Sequence, residues 1–238
     1  MVFVTGDTHR FEIADRFEEL SWQYETTTDD VLIILGDVGI NYEGESSDFE
    51  LKKELAELPI TLLCIHGNHE QRPDTIYTYE LVERFGGIVY MEDEFPNLLF
   101  AKDGEIYDLD GKRCIAIGGT YSIDKHQRTR GVDWWDDEQP SEEIKADVEE
   151  SLEAAGWKVD VVLSHTRPYK YAHNYAPKKQ SSPQTYGRYD ISTELWLATI
   201  EKKLDYSEWY CGHFHTDQRD NKLIYMYRDI RELVSGIE

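Results

Sequence analysis

Basic residues are scarce. The 238-residue chain has 25 Lys and Arg against 48 Asp and Glu, a formal net charge of −23. So acidic a molecule repels polyanions at long range, which disfavours tight non-specific binding to DNA or to an anionic membrane. Long apolar runs are missing as well. The longest, 31–35 and 60–65, fall far short of the roughly 20 residues that cross a bilayer. The opening stretch MVFVTGDTHR has no basic segment followed by a signal-length apolar core, so export is not expected. Cysteine is limited to Cys64, Cys114 and Cys211, each inside an apolar, strand-like run and without paired spacing. They read as reduced, buried thiols of a cytoplasmic protein.

What is present describes a globular chain. Apolar residues make up 40% and aromatics 13%, which argues against disorder despite the charge. At this length one substantial core is expected without staples, as a single domain over 1–238. The first seventy residues alternate in period: strand-like at 2–5, 31–35 and 60–65, helix-like at 14–24 and 47–58. Continuously apolar strands separated by helices imply parallel pairing in a sheet covered on both faces. A further helix is predicted over 77–85, ended by Gly86-Gly87.

The middle changes character. Segments 98–100, 105–109 and 112–117 read as antiparallel strands, the last two joined by Asp110-Gly111, a hairpin signal. Ser141 before Glu142-Glu143 suits a helix N-cap with acids in the first turn, the helix stopping at Gly156. Strands at 159–164, 208–211 and 223–227 and a helix at 191–204 complete an α/β chain with a mixed, two-sheet core.

Five polar clusters each follow directly on a strand-like run. They are Gly6-Asp7-Thr8-His9, Gly36-Asp37, Gly67-Asn68-His69-Glu70, His165, and Gly212-His213-Phe214-His215. Ligand sites of α/β sheets gather at the carboxyl ends of strands, so these clusters are expected to converge. Asp, Asn and His without Cys suit divalent Mn, Fe, Zn or Ni and exclude a thiolate structural-zinc site. In extended chain, residues two apart face one way, so Asp7 with His9, and His213 with His215, can each offer two ligands. Seven candidate ligands are too many for one tetrahedral ion and suit two ions sharing a carboxylate. Two ions roughly 3.5–4 Å apart can lower the pKa of a bridging water and clamp the oxygens of an in-line displacement.

In that order the five motifs resemble the calcineurin-like metallophosphoesterase superfamily, over residues 6–215. The resemblance implies a four-layer α/β/β/α sandwich with two divalent metals at one edge, Mn the first expectation and Fe, Zn or Ni the alternatives. Carried over position by position, it implies one metal on Asp7, His9, Asp37 and His215. The second falls to Asp37, Asn68, His165 and His213, with Asp37 bridging. His69 corresponds to the non-ligand histidine that stabilises the transition state or protonates the leaving oxygen. Two departures leave the branch open. Asp37-Val38-Gly39 stands where the protein serine/threonine phosphatases carry Asp-Arg-Gly, and Glu70 stands where the nuclease and cyclic-nucleotide branches usually have Asp.

Residues 161–189 contain Arg167, Lys170, Lys178, Lys179 and Arg188 with no acid, interleaved with five tyrosines. Cations for phosphate and rings for a base make this stretch a candidate substrate rim. Lys125, Arg128 and Arg130 are a candidate opposite wall, and Arg10 and Arg72, beside the first and third motifs, are candidate phosphate contacts. The expected activity is hydrolysis of a nucleotide or nucleic-acid phosphodiester by metal-activated hydroxide. A phosphomonoesterase and a non-catalytic nucleotide-binding module are the alternatives.

Overall fold

The computed structural model describes residues 1–10, 12–42, 45–174 and 189–233, leaving aside the side chains of 45–47 and 172–174. The chain begins with β1 (Val2–Thr5), α1 (Ile13–Ser21), β2 (Val31–Ile34), α2 (Glu45–Ala56) and β3 (Thr61–Cys64). A run of strands follows: β4 (Glu80–Arg84), β5 (Gly87–Met91), β6 (Leu98–Ala101), β7 (Ile106–Leu109) and β8 (Lys112–Ile117). The last third holds α3 (Glu142–Ala154), β9 (Val161–Ser164), α4 (Ser192–Glu201) and β10 (Glu208–Cys211). It ends in β11 (Gln218–Asp220), β12 (Leu223–Tyr225) and β13 (Arg231–Glu232).

Two mixed sheets result. One runs β13-β1-β2-β3-β6-β5-β4, the other β11-β12-β10-β9-β8-β7. The interior of each is parallel (β1 through β3 to β6; β12 through β10 and β9 to β8), and antiparallel strands close the edges. Alternation along the strands sorts the core into layers. Val2, Val4, Ile33 and Leu63 of the first sheet meet Ala116, Val161, Leu163 and Ile224 of the second in a central layer. Phe3, Leu32, Ile34 and Leu62 point the other way, with Ile13 and Leu20 of α1 and Leu51 and Leu55 of α2. On the far side Ile115, Val162 and Trp209 meet Val148 and Leu152 of α3 and Leu197 and Ile200 of α4. This is the α/β/β/α sandwich.

Several turns follow their sequence signals. Ser141 caps α3 by accepting from the Ile144 amide, and Gly156 stops the chain beyond it at φ 67°. Asp110 and Gly111, both at positive φ, close the β7–β8 hairpin.

The helix predicted over 77–85 is a correction. That stretch contains β4, paired antiparallel with β5 from Glu80↔Met91 to Arg84↔Gly87, and Phe85-Gly86 turns at φ 54° and 76°. β4 is an edge strand with mostly exposed residues, so neither face carried an apolar period, and Gly86-Gly87 marks a strand turn instead of a helix stop. The short polar strands β11 and β13 gave no signal either. The three cysteines are free and buried. Among the described residues no helix is long and apolar enough to cross a membrane.

Candidate active site

Motif one leaves β1, motif two β2, motif three β3, while His165 leaves β9 and motif five β10. All five leave the carboxyl ends of parallel interior strands in two facing sheets, which brings them to one edge. The backbone ties them together. Amides of Thr8 and His9 donate to the Asp37 carbonyl at 3.2 and 2.8 Å, and Arg10 N donates to the Val38 carbonyl at 3.0 Å. Carboxylates tie the rest: Asp37 Oδ1 accepts from His69 N at 2.9 Å, and Asp7 Oδ1 accepts from His213 N at 2.9 Å.

Two donor groups form, Asp7 with His9 and His215, and Asp37 with His165 and His213, the donor atoms of each within 4.8 Å of one another. Asn68 joins the second, its Oδ1 2.8 Å from His165 Nε2, while its Nδ2 donates to Ser122 Oγ at 2.8 Å and so turns the carbonyl oxygen inward. His165 Nδ1 lies 2.7 Å from the Leu35 carbonyl, which can only accept, so the lone pair is on Nε2 and faces the site. All seven sequence-derived ligand candidates thus share one edge.

The donor set fits divalent cations. His9 Nε2 and His215 Nε2 face each other at 2.9 Å, two ring nitrogens aimed at one point. Asp7 Oδ2 is buried without a hydrogen bond, 3.1 Å from His215 Nε2. Such buried acceptors are costly alone and suited to a shared cation. Close backbone approach is required here: a Cβ on Gly36 would enter the His165 imidazole, and one on Gly212 would enter the Asp7 carboxylate.

Electrostatics follow from burial and neighbours. Burial alone would raise the Asp37 carboxyl, but the imidazoles of His165, His69, His9 and His213 outweigh it and hold it well below the usual carboxylate range. His213, half-buried by area yet packed among protein atoms, is pushed down to about 3 by desolvation and then by His165. The Asp7 carboxylate beside its ring raises His215, against the lowering effect of burial. His69 is lowered by desolvation, Arg128 and His9, against a raising effect of Asp37.

The predicted substrate cations are differently placed. Arg128 NH2 lies 3.1 Å from His69 Nε2, while its Nε and NH2 form a fork on Asp124 at 2.9 and 2.7 Å. A guanidinium only donates, so His69 Nε2 accepts and its proton sits on Nδ1. Arg72 is buried on Asp103 at 2.6 Å and on the Asp137 carbonyl. Arg10 meets Asp48 at 3.6 Å, Lys125 meets Glu138 at 3.9 Å, exposed Arg130 pairs with Asp136, and Lys170 binds Glu201 at 2.5 Å. Arg167 is buried over the Phe214 ring, 4.3 Å from its centroid, behind the last motif. Of the basic segment 161–189, residues 175–188, with Lys178, Lys179 and Arg188, lie outside the described residues.

Some residues take positioning roles that the sequence did not assign them. Buried Arg16 of α1 donates to Thr5 Oγ1 and to the carbonyls of Gly6, Asp7 and Tyr227, fixing the motif-one turn. Glu70 clamps two motif loops, accepting from Gly67 N at 2.7 Å and Val38 N at 2.9 Å. Ser122 was hidden because a lone serine in a loop looks like any other.

Residues 1–217 match the family profile described as calcineurin-like phosphoesterase. Among solved structures the chain is similar to a phosphopantetheinyl hydrolase from Mycobacterium tuberculosis, at 13% identity and a TM-score of 0.40, over 95% of this chain and 87% of that one. A comparison with curated protein sequences gives no match.

Proposed function

Because the chain belongs to the calcineurin-like phosphoesterase family, it is a metal-dependent hydrolase of phosphate esters, and we propose that its site is the edge where Asp7, His9, Asp37, Asn68, His165, His213 and His215 meet. Asp37, which belongs to the second donor group and is tied through its carbonyl to the first motif, would be the ligand the two cations share. Two divalent cations held there, Mn the first choice, would supply Lewis acidity, making hydroxide available at neutral pH and offsetting charge on the phosphoryl oxygens. The observation that carries this reading is the convergence of two independent donor groups from both sheets.

The residues themselves divide the work. His69, outside both donor groups, is held by its backbone bond to Asp37 and by Arg128. Neutral and protonated on Nδ1, it is oriented to stabilise charge on a phosphoryl or leaving oxygen. Arg128 is fixed by its fork on Asp124 and by the Asp133 carbonyl at 3.0 Å, so it orients His69 at little entropic cost.

The substrate we favour is a small nucleotide-type ester over single-stranded nucleic acid. Among the described residues, Arg10, Arg72, Lys125, Arg128, Arg130 and Lys170 each face a carboxylate, which leaves little net positive field for a polyanion. Tyr42 and Trp135, 6.2 Å apart beside His69, offer rings for a base.

The test is Mn-loaded protein against cyclic nucleotides, nucleotide p-nitrophenyl esters, phosphomonoesters and single-stranded oligonucleotides, with Asp37→Asn alongside. We expect turnover of the small diesters, at least a hundredfold loss in Asp37→Asn, and metal content falling below two per chain. Full activity and metal content in Asp37→Asn would remove the shared-ligand role; preference for oligonucleotides would remove the substrate assignment.

A further inference from the structure

Next to His69 the edge opens into a cleft of about 1000 Å³. Tyr42 is the link: its ring lies 6.4 Å from that of His69 and 6.2 Å from that of Trp135, and both Tyr42 and Trp135 line the cleft. The volume is at the upper end for small-molecule sites, roughly 300–1,000 Å³.

The charge of the cleft is one-sided. Five carboxylates line it against a single ammonium, Lys52. Lys52 is already committed to Glu92 at 2.6 Å, and Asp48 faces Arg10 at 3.6 Å. Glu80, Asp93 and Glu94 are exposed and have no cationic partner among the described residues. Among the described residues that line the cleft, no lysine or arginine is left to take a second phosphate. The aromatic mouth has the opposite preference: the Tyr42 and Trp135 planes meet at 66°, forming a corner whose faces attract a cation. Ring faces backed by carboxylates are the chemistry of ammonium recognition.

We propose, resting on the phosphoesterase reading above, that this cleft seats the organic part of the substrate and selects phosphate esters carrying an amine or ammonium nitrogen and no second phosphate. The phosphate stays at the donor edge while the organic part leaves past Tyr42 toward the carboxylates. An ester with an alkylammonium head meets this chemistry fully; a mononucleotide diester meets it only through the hydrogen-bond donors of its uncharged base amino group, and a polynucleotide does not meet it.

Three p-nitrophenyl diesters separate the possibilities: p-nitrophenyl phosphorylcholine, bis(p-nitrophenyl) phosphate, and a nucleoside p-nitrophenyl ester with a second phosphate. With Mn-loaded protein, kcat/KM is expected to fall in that order. Asp93→Lys/Glu94→Lys changes exposed residues away from the donors. It should lower the choline ester about tenfold, raise the doubly phosphorylated one, and leave bis(p-nitrophenyl) phosphate, whose organic arms are uncharged, within about twofold. An equal change on all three, or a wild-type preference for the second phosphate, overturns the proposal. A readout independent of turnover is calorimetric binding of tetramethylammonium to the metal-free protein, expected in the wild type and about tenfold weaker in Trp135→Ala. Absence of binding to the wild type overturns the proposal. Binding without hydrolysis of any ester would sink the phosphoesterase reading and leave the cleft chemistry standing.

Discussion

Four donors hold backbone conformations that L-residues avoid: His9 at φ 43°, Asp37 at 49°, His213 at 66° and His215 at 47°. Each costs about 1–2 kcal/mol, and the hydrogen bonds between motif loops offset that cost. Strain therefore sits where donors must face inward from a tight turn. A second residue-scale feature is the carboxyl of Glu194, raised above its ordinary value by burial first, although the Thr120 and Thr166 hydroxyls, donating at 2.9 and 3.0 Å, pull it down. A carboxyl raised in the folded state holds its proton more tightly there than in the unfolded chain. Its contribution is complete below its unfolded value of 4.5 and is lost as pH rises through the folded value. Glu194→Gln removes that loss, so the melting temperature of the variant relative to wild type should climb between about pH 4 and pH 7. A difference that is flat across that range in calorimetry would contradict this account.

At the scale of elements, glycines with similar backbone angles have unequal consequences. Gly111 turns the β7–β8 hairpin at φ 76° with open space around it, whereas Gly36 at φ 91° leaves room for the His165 ring. Gly111→Ala is expected to cost about 1–2 kcal/mol, the left-handed penalty alone, with activity retained. Gly36→Ala adds overpacking and should cost roughly 3–4 kcal/mol and abolish activity by displacing His165. Urea melts and initial rates on a diester distinguish the two, and equal costs would refute the space argument. The same scale explains the misread segment 77–85. Buried parallel strands announce themselves as apolar runs, but β4 is stabilised by pairing with β5 at a sheet edge, a contact invisible in local periodicity.

For the whole molecule, the decisive feature is that the apolar layers contain none of the seven donors. Folding and metal binding are separable on that basis. Chelation with EDTA should abolish hydrolysis and lower the melting temperature by roughly 5–15 °C, the linkage expected for ions that bind only the folded chain. Far-UV circular dichroism at 25 °C should not change. Cooperative unfolding on chelation would mean that the sandwich depends on its ions.

Each donor motif, the parallel strands before it and the capped helix after Ser141 are local chemistry: apolar runs of strand length, glycine where the chain turns, and Asp, Asn or His at the end of a strand. These were legible residue by residue, down to the ligand candidates. Partnership was not. That Arg128 orients His69, that Arg72 pairs with Asp103, that Glu70 ties the second motif loop to the third, and that Tyr42 and Trp135 open an acidic cleft all depend on contacts between residues 31 to 93 positions apart. A charged side chain looks the same in the sequence whether it waits for a substrate or is matched by a carboxylate. Only packing, which determines what lies within about 3 Å of it, decides between the two.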